Sequence, residues 1–475
     1  MTNRSEYDAV VVGAGPNGLA AAITLARAGR SVLLLEAKET VGGGIRSAEL
    51  TLPGFVHDVC AAVHPLGLAS PFFRSLHFSG YGLEWVHAPA PLAHPLDDGT
   101  AVLMQRSVER TAAALGPDAS NYRALIEPLA RDSEKLVDDL LAPLHIPRHP
   151  AALLRFGRSA MRSVDRFVLG RFKGTRARAL FGGLGAHVIL PMRQPTGTAV
   201  GLLLCAVGHS TGWPLARGGS QRIADAMVRC FTDLGGEVRT GIEVHSMGQL
   251  PRARVVLLNA MPRQLAEITD DRLHRDYRQH LLAYQHGPGV FKMDWALGGP
   301  IPWRAEECLQ AATVHVGGTY DEVREAENEV WQGRHPDRPF VLLSQPTLFD
   351  PTRAPRGRHI AWAYCHVPNG STQDMSAQIE SQIERFAPGF RDRILARSTM
   401  NTADMEAYDR NFVGGDVAGG VQNLLGRSLR PLGRWQPYAT PISGLYVCSS
   451  SQPPGAGVHG MCGFHAATRA LREAF

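Results

Sequence analysis

The glycine-rich stretch from Gly13 through Gly15 to Gly18 constrains the fold of this chain more than any other feature of its sequence. The apolar residues 10–12 before it are typical of a buried parallel strand, and residues 19–28 after it have helical spacing. Glycine at these three places gives a tight turn, lets a pyrophosphate approach the backbone and lets the helix pack closely on the strand. The pattern therefore predicts a strand, turn and helix that bind a dinucleotide.

An acidic residue follows the next apolar run. Residues 31–35 predict a second parallel strand, and Glu36 comes directly after it, 18 residues beyond Gly18. A carboxylate at this place hydrogen-bonds ribose hydroxyl groups and repels a 2′-phosphate. We therefore expect a dinucleotide whose ribose carries no 2′-phosphate.

Composition limits the class of protein. At 475 residues and 44% hydrophobic content, the chain can bury a large core and divide into two domains. The formal charge of +5 and the lack of a basic run predict no nucleic-acid partner.

The seven cysteines are odd in number and contain no CxxC pair, which predicts reduced thiols and a cytoplasmic location. The first strand begins near the N-terminus and the longest apolar run is short, so we expect neither a signal peptide nor a membrane span.

A second glycine cluster resembles a known motif. Gly43, Gly44 and Arg46, with Ile45 inserted, resemble the GGR-like motif of FAD-dependent flavoproteins with two dinucleotide-binding domains. In that family the arginine lies near the FAD phosphates. The resemblance implies FAD as the cofactor.

The C-terminal segment carries the closest resemblance. Residues 445–467, LYVCSSSQPPGAGVHGMCGFHAA, resemble the terminal segment of phytoene desaturase-like flavoproteins, a group that includes the pyridine nucleotide-disulfide oxidoreductase domain 2 proteins. In that family this loop and the start of the following helix hold the ribityl chain and the flavin ring. Positive potential at a helix N-terminus would stabilise an anionic reduced flavin.

A mid-chain segment, residues 217–244, resembles the family's return to the cofactor domain, with Val244 beside the adenine and a family-like turn at Asn259. The motif and the resemblance together assign cofactor contacts to Gly13, Ala14, Gly15, Pro16, Asn17, Gly18, Glu36, Ala37, Gly43, Gly44, Arg46, Val244, Asn259, Gly457, Val458 and Met461.

We therefore predict an α/β protein in which a Rossmann-type FAD-binding domain is interleaved with an α+β substrate domain. The predicted FAD-binding domain comprises residues 1–75, 211–270 and 421–475, and the substrate domain comprises residues 76–210 and 271–420. Within the latter, residues 290–297 alternate apolar side chains with Lys292 and Asp294, which predicts a half-buried strand with an apolar inner face.

The sequence contains one dinucleotide-binding motif and no second one for a nicotinamide cofactor. We therefore expect electrons to pass between a substrate, the flavin and an acceptor such as oxygen or a quinone. Desaturation, saturation and isomerisation of carbon–carbon bonds all fit, and we favour desaturation of a hydrophobic, polyene or isoprenoid-like molecule, by analogy with the family. The candidates for proton transfer are His459, His64 and Asp416, each with a structural role as the alternative. No metal site is predicted.

Two other functions remain open. Amine oxidases share the fold, although Met461 stands where their second flavin-facing aromatic residue is expected; Trp435 and Tyr438 are candidates for one aromatic wall. The chain also fits a non-catalytic flavoprotein scaffold that binds a membrane or respiratory partner.

Residues 152–178 predict a basic amphipathic helix with arginines at 155, 158, 162 and 166. Such a helix can lie in an anionic lipid headgroup layer and open a path for a lipid substrate. A helix packed on the core with a solvated basic face is the favoured alternative. The predicted location is cytoplasmic, either free or peripheral on the inner face of the membrane.

Overall fold

A computed structural model describes residues 6–421 and 437–475, so Trp435 lies outside the described residues. The strands are β1 (Glu6–Val12), β2 (Val32–Leu35), β3 (Ser47–Glu49), β4 (Val56–Asp58), β5 (Trp85–Val86), β6 (Ala90–Pro95), β7 (Ala101–Met104), β8 (Leu215–Ala216), β9 (Glu237–Arg239), β10 (Arg252–Leu258), β11 (Gly289–Leu297), β12 (Ala311–Val316), β13 (Val341–Ser344), β14 (His359–Val367), β15 (Ile394–Met400) and β16 (Leu445–Val447).

The helices are α1 (Pro16–Arg27), α2 (Pro65–Ala69), α3 (Pro71–Arg74), α4 (Val108–Ala113), α5 (Ala119–Arg131), α6 (Ser133–Leu140), α7 (Pro150–Ala160), α8 (Val164–Arg171), α9 (Thr175–Ala186), α10 (Thr198–Ser210), α11 (Gln221–Asp233), α12 (Pro262–Thr269), α13 (Arg275–Leu282), α14 (Tyr320–Trp331), α15 (Ser376–Phe386), α16 (Thr402–Tyr408) and α17 (Met461–Ala474).

The first sheet is parallel, in the order β16-β10-β1-β2-β9. Helix α1 connects β1 to β2, and α17 packs against α1. Apolar side chains such as Val10 and Leu33 are completely buried between the sheet and its surroundings, as expected for a parallel sheet covered on both faces. This arrangement confirms the predicted Rossmann-type α/β fold.

The second sheet is mixed, in the order β15-β11-β14-β13-β12-β6-β7, and its strands are antiparallel except where β12 pairs with β6. One face carries Phe291, Met293 and Trp295, which pack in a core cluster with Ile379 and Ile383 of α15. Every residue of β11 is buried. The predicted strand is therefore present, but the expectation that it is half-buried was wrong, because the face with Lys292 and Asp294 is covered too.

The chain passes between the two sheets repeatedly. The first sheet takes its strands from residues 6–35, 237–258 and 445–447, and the second takes its strands from residues 90–104 and 289–400. Polypeptide from three distant parts of the sequence thus meets at the carboxyl ends of the parallel strands, where ligands bind in open α/β sheets. The exact domain boundaries stay a prediction.

The basic segment 152–178 is not one helix. It spans parts of α7, α8 and α9, and α8 begins where the Ser163 side chain accepts a hydrogen bond of 3.3 Å from the backbone N–H of Arg166. Serine at a helix start competes with continuation of the preceding helix, which explains the break. Within residues 6–421 and 437–475, no helix has both the length and the apolar composition needed to cross a bilayer.

Candidate active site

The glycine turn has the geometry that the sequence predicts. Gly13 adopts a φ of +93°, and a Cβ atom on Gly18 would lie 1.8 Å from the carbonyl oxygen of Gly13. Helix α1 starts at Pro16, and no side chain caps its N-terminus. The turn therefore presents uncapped backbone N–H groups and positive helix-end potential, the combination that binds phosphate groups.

Glu36 and Arg46 form a buried ion pair behind this turn. The Glu36 carboxylate accepts a hydrogen bond of 2.7 Å from the Ala14 N–H and lies 2.9 Å from Arg46 Nη2. The Arg46 Nε–H donates to the carbonyl oxygen of Thr40, and the guanidinium lies 5.4 Å from the ring centroid of Tyr408. The predicted contacts of Glu36 with ribose and of Arg46 with phosphate stay predictions, because in this structure the two side chains bind each other.

A cavity of about 1260 Å³ begins at the turn and continues between the two sheets. Its volume exceeds the range of roughly 300–1,000 Å³ that is typical of a pocket for one small ligand. The predicted site residues that line it are Gly15, Pro16, Asn17, Gly43, Gly44, His64, Asn259, Gly457 and Val458. The structure thus brings the N-terminal motif and the C-terminal loop to one cavity.

The end of the cavity remote from the turn is apolar. Helices α7 and α10 contribute Phe156, Val200 and Leu203 to its wall. Leu144 and Ile146 also line it, and their exposed fractions of 78% and 91% place them at its opening to solvent. This end of the cavity is suited to a hydrophobic ligand that enters past exposed apolar side chains.

One wall of the cavity was missed by sequence reasoning. The second sheet contributes Lys292, Thr313, Trp362 and Tyr364 to the lining. Lys292 forms an ion pair with Asp294, and both side chains are almost fully buried. The Trp362 indole N–H is buried without a hydrogen-bond partner among the described residues, which leaves a donor for a ligand. The sequence did contain a signal for this wall. Lys292 and Asp294 are two positions apart, so they share one face of the strand and can be buried together as an ion pair.

His64 lines the cavity and directly precedes α2 in the chain. Its Nε2 lies 2.8 Å from Ser220 Oγ, and the Ser220 hydroxyl donates to the Ala61 carbonyl oxygen. Since the hydroxyl proton is used there, the imidazole proton sits on Nε2 and leaves Nδ1 as an acceptor, which has no partner among the described residues. Burial lowers the pKa of His64 to about 4, so the ring is neutral at physiological pH.

His459 lies behind the C-terminal loop and is not among the residues that line the cavity. Its Nδ1 accepts a hydrogen bond of 3.0 Å from the Met461 N–H at the start of α17, and its Nε2 lies 3.2 Å from the Ala456 carbonyl oxygen. Burial lowers the pKa of His459 to about 4. With both nitrogens occupied by backbone, this geometry favours a structural role over the predicted proton transfer.

Asp416 organises a loop. Its carboxylate accepts hydrogen bonds from the N–H groups of Ala418, Gly420 and Gly287, at 2.8 to 2.9 Å. The side chain is completely buried and does not line the cavity, whereas the neighbouring Ala418 does. Asp416 therefore positions part of the cavity wall, and its geometry does not favour the predicted proton transfer.

The remaining predicted contacts lie around the turn and the loop. Asn259 donates from Nδ2 to the Gly13 carbonyl oxygen at 3.4 Å. Ala37 is exposed, Val244 is buried in the apolar cluster on one side of the first sheet, and Met461 is buried at the N-terminus of α17. Asn259 lines the cavity, whereas Ala37, Val244 and Met461 do not, and the contacts of all four with a cofactor stay predictions.

The cysteines carry no redox pair. None of the seven forms a disulfide bond with another in the structure. Cys60 lines the cavity, and burial raises its pKa to about 12, which keeps the thiol protonated. Among residues 6–421 and 437–475, no group of three or more His, Cys, Asp or Glu side chains is arranged to hold a metal ion.

Comparison with known proteins agrees with this geometry. The family model described as an NAD(P)-binding Rossmann-like domain matches residues 11–76. The rat protein named pyridine nucleotide-disulfide oxidoreductase domain-containing protein 2 is 26% identical over 99% of this chain and 94% of its own length. A phytoene dehydrogenase from Streptomyces griseus is 27% identical over 82% of this chain and 77% of its own length. The likeness to the pyridine nucleotide-disulfide oxidoreductase domain 2 proteins and to phytoene dehydrogenases thus extends over most of this chain, in agreement with the resemblance of its C-terminal segment.

The fold of this chain is also found in a solved oxidase structure. The solved structure of a putrescine oxidase bound to putrescine has a TM-score of 0.62, with 18% identity and coverage of 98% of both chains. At this identity the likeness concerns the fold alone. The fold therefore does not separate a desaturase from an amine oxidase, and the residues of the cavity must do so.

Proposed function

We propose that this phytoene desaturase-like protein is an FAD-dependent oxidoreductase that desaturates carbon–carbon bonds of a hydrophobic, polyene or isoprenoid-like substrate. The observation that carries the proposal is the continuity of the cavity. It runs from the glycine turn to its apolar end, lined by Phe156, Val200 and Leu203, which we call the apolar chamber. A cofactor at the turn and a hydrophobic substrate in the apolar chamber would then share one cavity. Saturation and isomerisation of the same class of bond remain related possibilities.

The residues at the turn fit a dinucleotide. A Cβ on Gly18 would lie 1.8 Å from the Gly13 carbonyl oxygen, so the turn has its closed form only with glycine there. The N-terminus of α1 would hold the pyrophosphate, and Gly43, Gly44, Gly457 and Val458 line the continuation of the cavity, where a flavin would lie. We infer FAD because the cavity extends far beyond the turn. When bound, FAD supplies an acceptor for the hydride that leaves a substrate carbon.

The chain's own residues bind the substrate, exclude water and transfer the proton. The apolar chamber holds the substrate and excludes water. Desaturation removes a hydride from one carbon and a proton from its neighbour, and the two electrons pass on to oxygen or a quinone. Lys292 lies on the cavity wall and is paired with Asp294, so we assign the pair the handling of the proton: when the proton that the two share rests on Asp294, the neutral Lys292 amine accepts the proton from the substrate carbon.

We also propose that the mouth of the cavity rests on an anionic membrane surface. Leu144, Ile146, Leu154, Met161 and Leu169 are exposed large apolar residues within one short part of the chain. Residues 141–180 contain nine Arg or Lys residues and a single acidic residue, Asp165. Exposed apolar side chains among cations are typical of proteins that lie in a lipid headgroup layer. A lipid substrate would then enter from the inner face of the membrane.

Vesicle sedimentation tests the membrane proposal. Vesicles of phosphatidylglycerol should bind the wild type at low salt, and a Leu144→Ser/Ile146→Ser variant should bind much less. Leu234→Ser removes a 40% exposed leucine elsewhere and serves as the control. Equal sedimentation of all three proteins, or none by the wild type, would contradict a membrane position.

Product analysis tests the enzymatic proposal. Purified protein is incubated aerobically with fractionated lipid extract, and products are identified by mass spectrometry. We expect a product two hydrogen atoms lighter than its hydrophobic precursor. Peroxide release with simple amines instead would favour an amine oxidase. Absence of turnover together with a stable protein partner in pull-downs would favour a non-catalytic scaffold.

A further inference from the structure

A pair of histidines lies at the apolar chamber. His187 follows the last residue of α9 and lines the cavity, and its Nε2 lies 2.8 Å from Nε2 of His315 on β12. The two ring centroids are 4.9 Å apart. His187 also contacts Trp213 edge to face, with the centroids 5.7 Å apart. The orientation of His187 is thus fixed by two neighbours.

Packing around His315 determines where the protons sit. Nδ1 of His315 is buried without a hydrogen-bond partner among the described residues. Helix α9 closes over this atom, since a Cβ on Gly183 would lie 2.3 Å from it, so no water fits between them. A buried N–H without a partner is rarer than a buried acceptor without one. The proton of His315 therefore belongs on Nε2, from which it is donated to Nε2 of His187.

This tautomer leaves His187 with its own proton on Nδ1. No described residue accepts a hydrogen bond from that atom, and the ring borders the cavity. Burial lowers the pKa of His187 to about 3, so at physiological pH the ring is neutral and not a cation. A neutral N–H at the wall of an apolar chamber is suited to an uncharged oxygen atom.

We propose that His187 donates a hydrogen bond to an oxygen atom, a hydroxyl or a carbonyl, carried by an otherwise hydrocarbon substrate. This inference rests on the proposed function, because it takes the apolar chamber as the substrate site. It narrows the substrate class from hydrocarbons to singly oxygenated isoprenoid-like molecules.

Strand pairing shows where this oxygen lies relative to Lys292. In the second sheet Lys292 pairs with Tyr364, Tyr364 with Leu342 and Leu342 with His315, so all four side chains lie on the same face. Three strand spacings separate Lys292 from His315, a distance of about 14 Å. The oxygen held by His187, which contacts His315, is therefore bound several strands away from Lys292.

Binding of a matched pair of probes tests the inference without requiring turnover. The probes are geranylgeraniol and the hydrocarbon of the same carbon skeleton, titrated into the purified holoenzyme while tryptophan fluorescence is followed, because Trp213 and Trp362 line the cavity. One hydrogen bond predicts that the alcohol binds about fivefold more tightly than the hydrocarbon. His187→Phe should abolish this preference and leave the affinity for the hydrocarbon unchanged.

Two further variants sharpen the test. His187→Asn keeps an N–H donor near Nδ1 and should retain part of the preference. His145→Phe replaces another cavity-lining histidine, whose two nitrogens are occupied by Pro143 and Asp139, and should retain all of it. Equal affinity of the wild type for both probes, or a preference that survives in His187→Phe, would overturn the role of His187 alone. Failure of both probes to bind would overturn the hydrophobic chamber and this inference with it.

Discussion

Lys292 and Asp294 form an ion pair inside the protein, on the face of β11 that borders the cavity. The second oxygen of Asp294 lies 3.5 Å from Nδ1 of the buried His57, whose Nε2 lies 2.8 Å from the Thr51 hydroxyl. A line of polar groups thus leads from the cavity wall to His57 on β4 and on to Thr51. Burial of two charges is costly unless each is paired, so the two residues must be considered together.

Replacing Lys292 separates its structural role from its chemical one. Lys292→Met leaves the Asp294 carboxylate buried without its cation, and we expect the free energy of unfolding to fall by about 3 kcal/mol. Lys292→Met/Asp294→Asn removes both charges and should regain most of that stability. Both variants should lose turnover while retaining the cofactor. Urea denaturation and product formation check this, and a stable double variant that turns over at the wild-type rate would contradict the role of Lys292.

The glycine turn gives a steric prediction. Gly18→Ala places a methyl group 1.8 Å from the Gly13 carbonyl oxygen, so the turn must open and the flavin content of purified protein should fall to near zero. Gly80→Ala is the matched control, because its Cβ would meet nothing within 4 Å. The flavin released by heat per chain measures the effect. Equal flavin content in the two variants would show that the turn does not hold the cofactor.

Asp416 gives a prediction that distinguishes loop positioning from proton transfer. Asp416→Asn exchanges an acceptor oxygen for a donor amide among three N–H groups, and we expect a loss of about 2 kcal/mol in the free energy of unfolding. Turnover per bound flavin should stay close to wild type under conditions where the variant is folded. A stable variant without turnover would instead restore Asp416 as a proton carrier.

Stability should depend on pH through buried histidines. Burial lowers the pKa of His64, His94 and His459 to about 4 each, while the unfolded chain keeps values near 6.5. Between pH 6.5 and about 4 the unfolded state binds more protons than the folded state, so the free energy of unfolding falls as pH falls through this window. His94→Gln should flatten that slope by about 1.4 kcal/mol per pH unit. Denaturant titrations at several pH values measure it, and an unchanged slope would contradict a neutral buried His94.

The end of the cavity at the glycine turn could be predicted from sequence because its determinants are local. Gly13, Gly15 and Gly18 specify a turn between adjacent elements, and the C-terminal loop up to Val458 could be placed by resemblance. Both are at the cavity in the structure. His459 lies in the predicted loop, yet its ring faces backbone groups, and sequence does not reveal the orientation of a side chain.

The cavity wall formed by the second sheet could not be predicted because it depends on strand pairing. Lys292 and Tyr364 are far apart in sequence and become neighbours only when β11 pairs with β14. Alternation alone assigns Lys292 and Asp294 to a solvent-facing side, since charged residues are mostly exposed. The structure covers that side with the cavity and its helices, and the pairing of the two charges makes this possible.

Anaerobic mixing shows directly whether the bound flavin oxidises a hydrophobic substrate. Purified protein with its bound flavin is mixed with an isoprenoid or polyene substrate in the absence of oxygen, and flavin absorbance is followed beside a parallel mixture with putrescine. We predict bleaching by the hydrophobic substrate in the wild type, return of colour on admission of oxygen or a quinone, and no bleaching by putrescine. A protein that takes up no FAD, or a flavin that only amines reduce, would contradict this prediction.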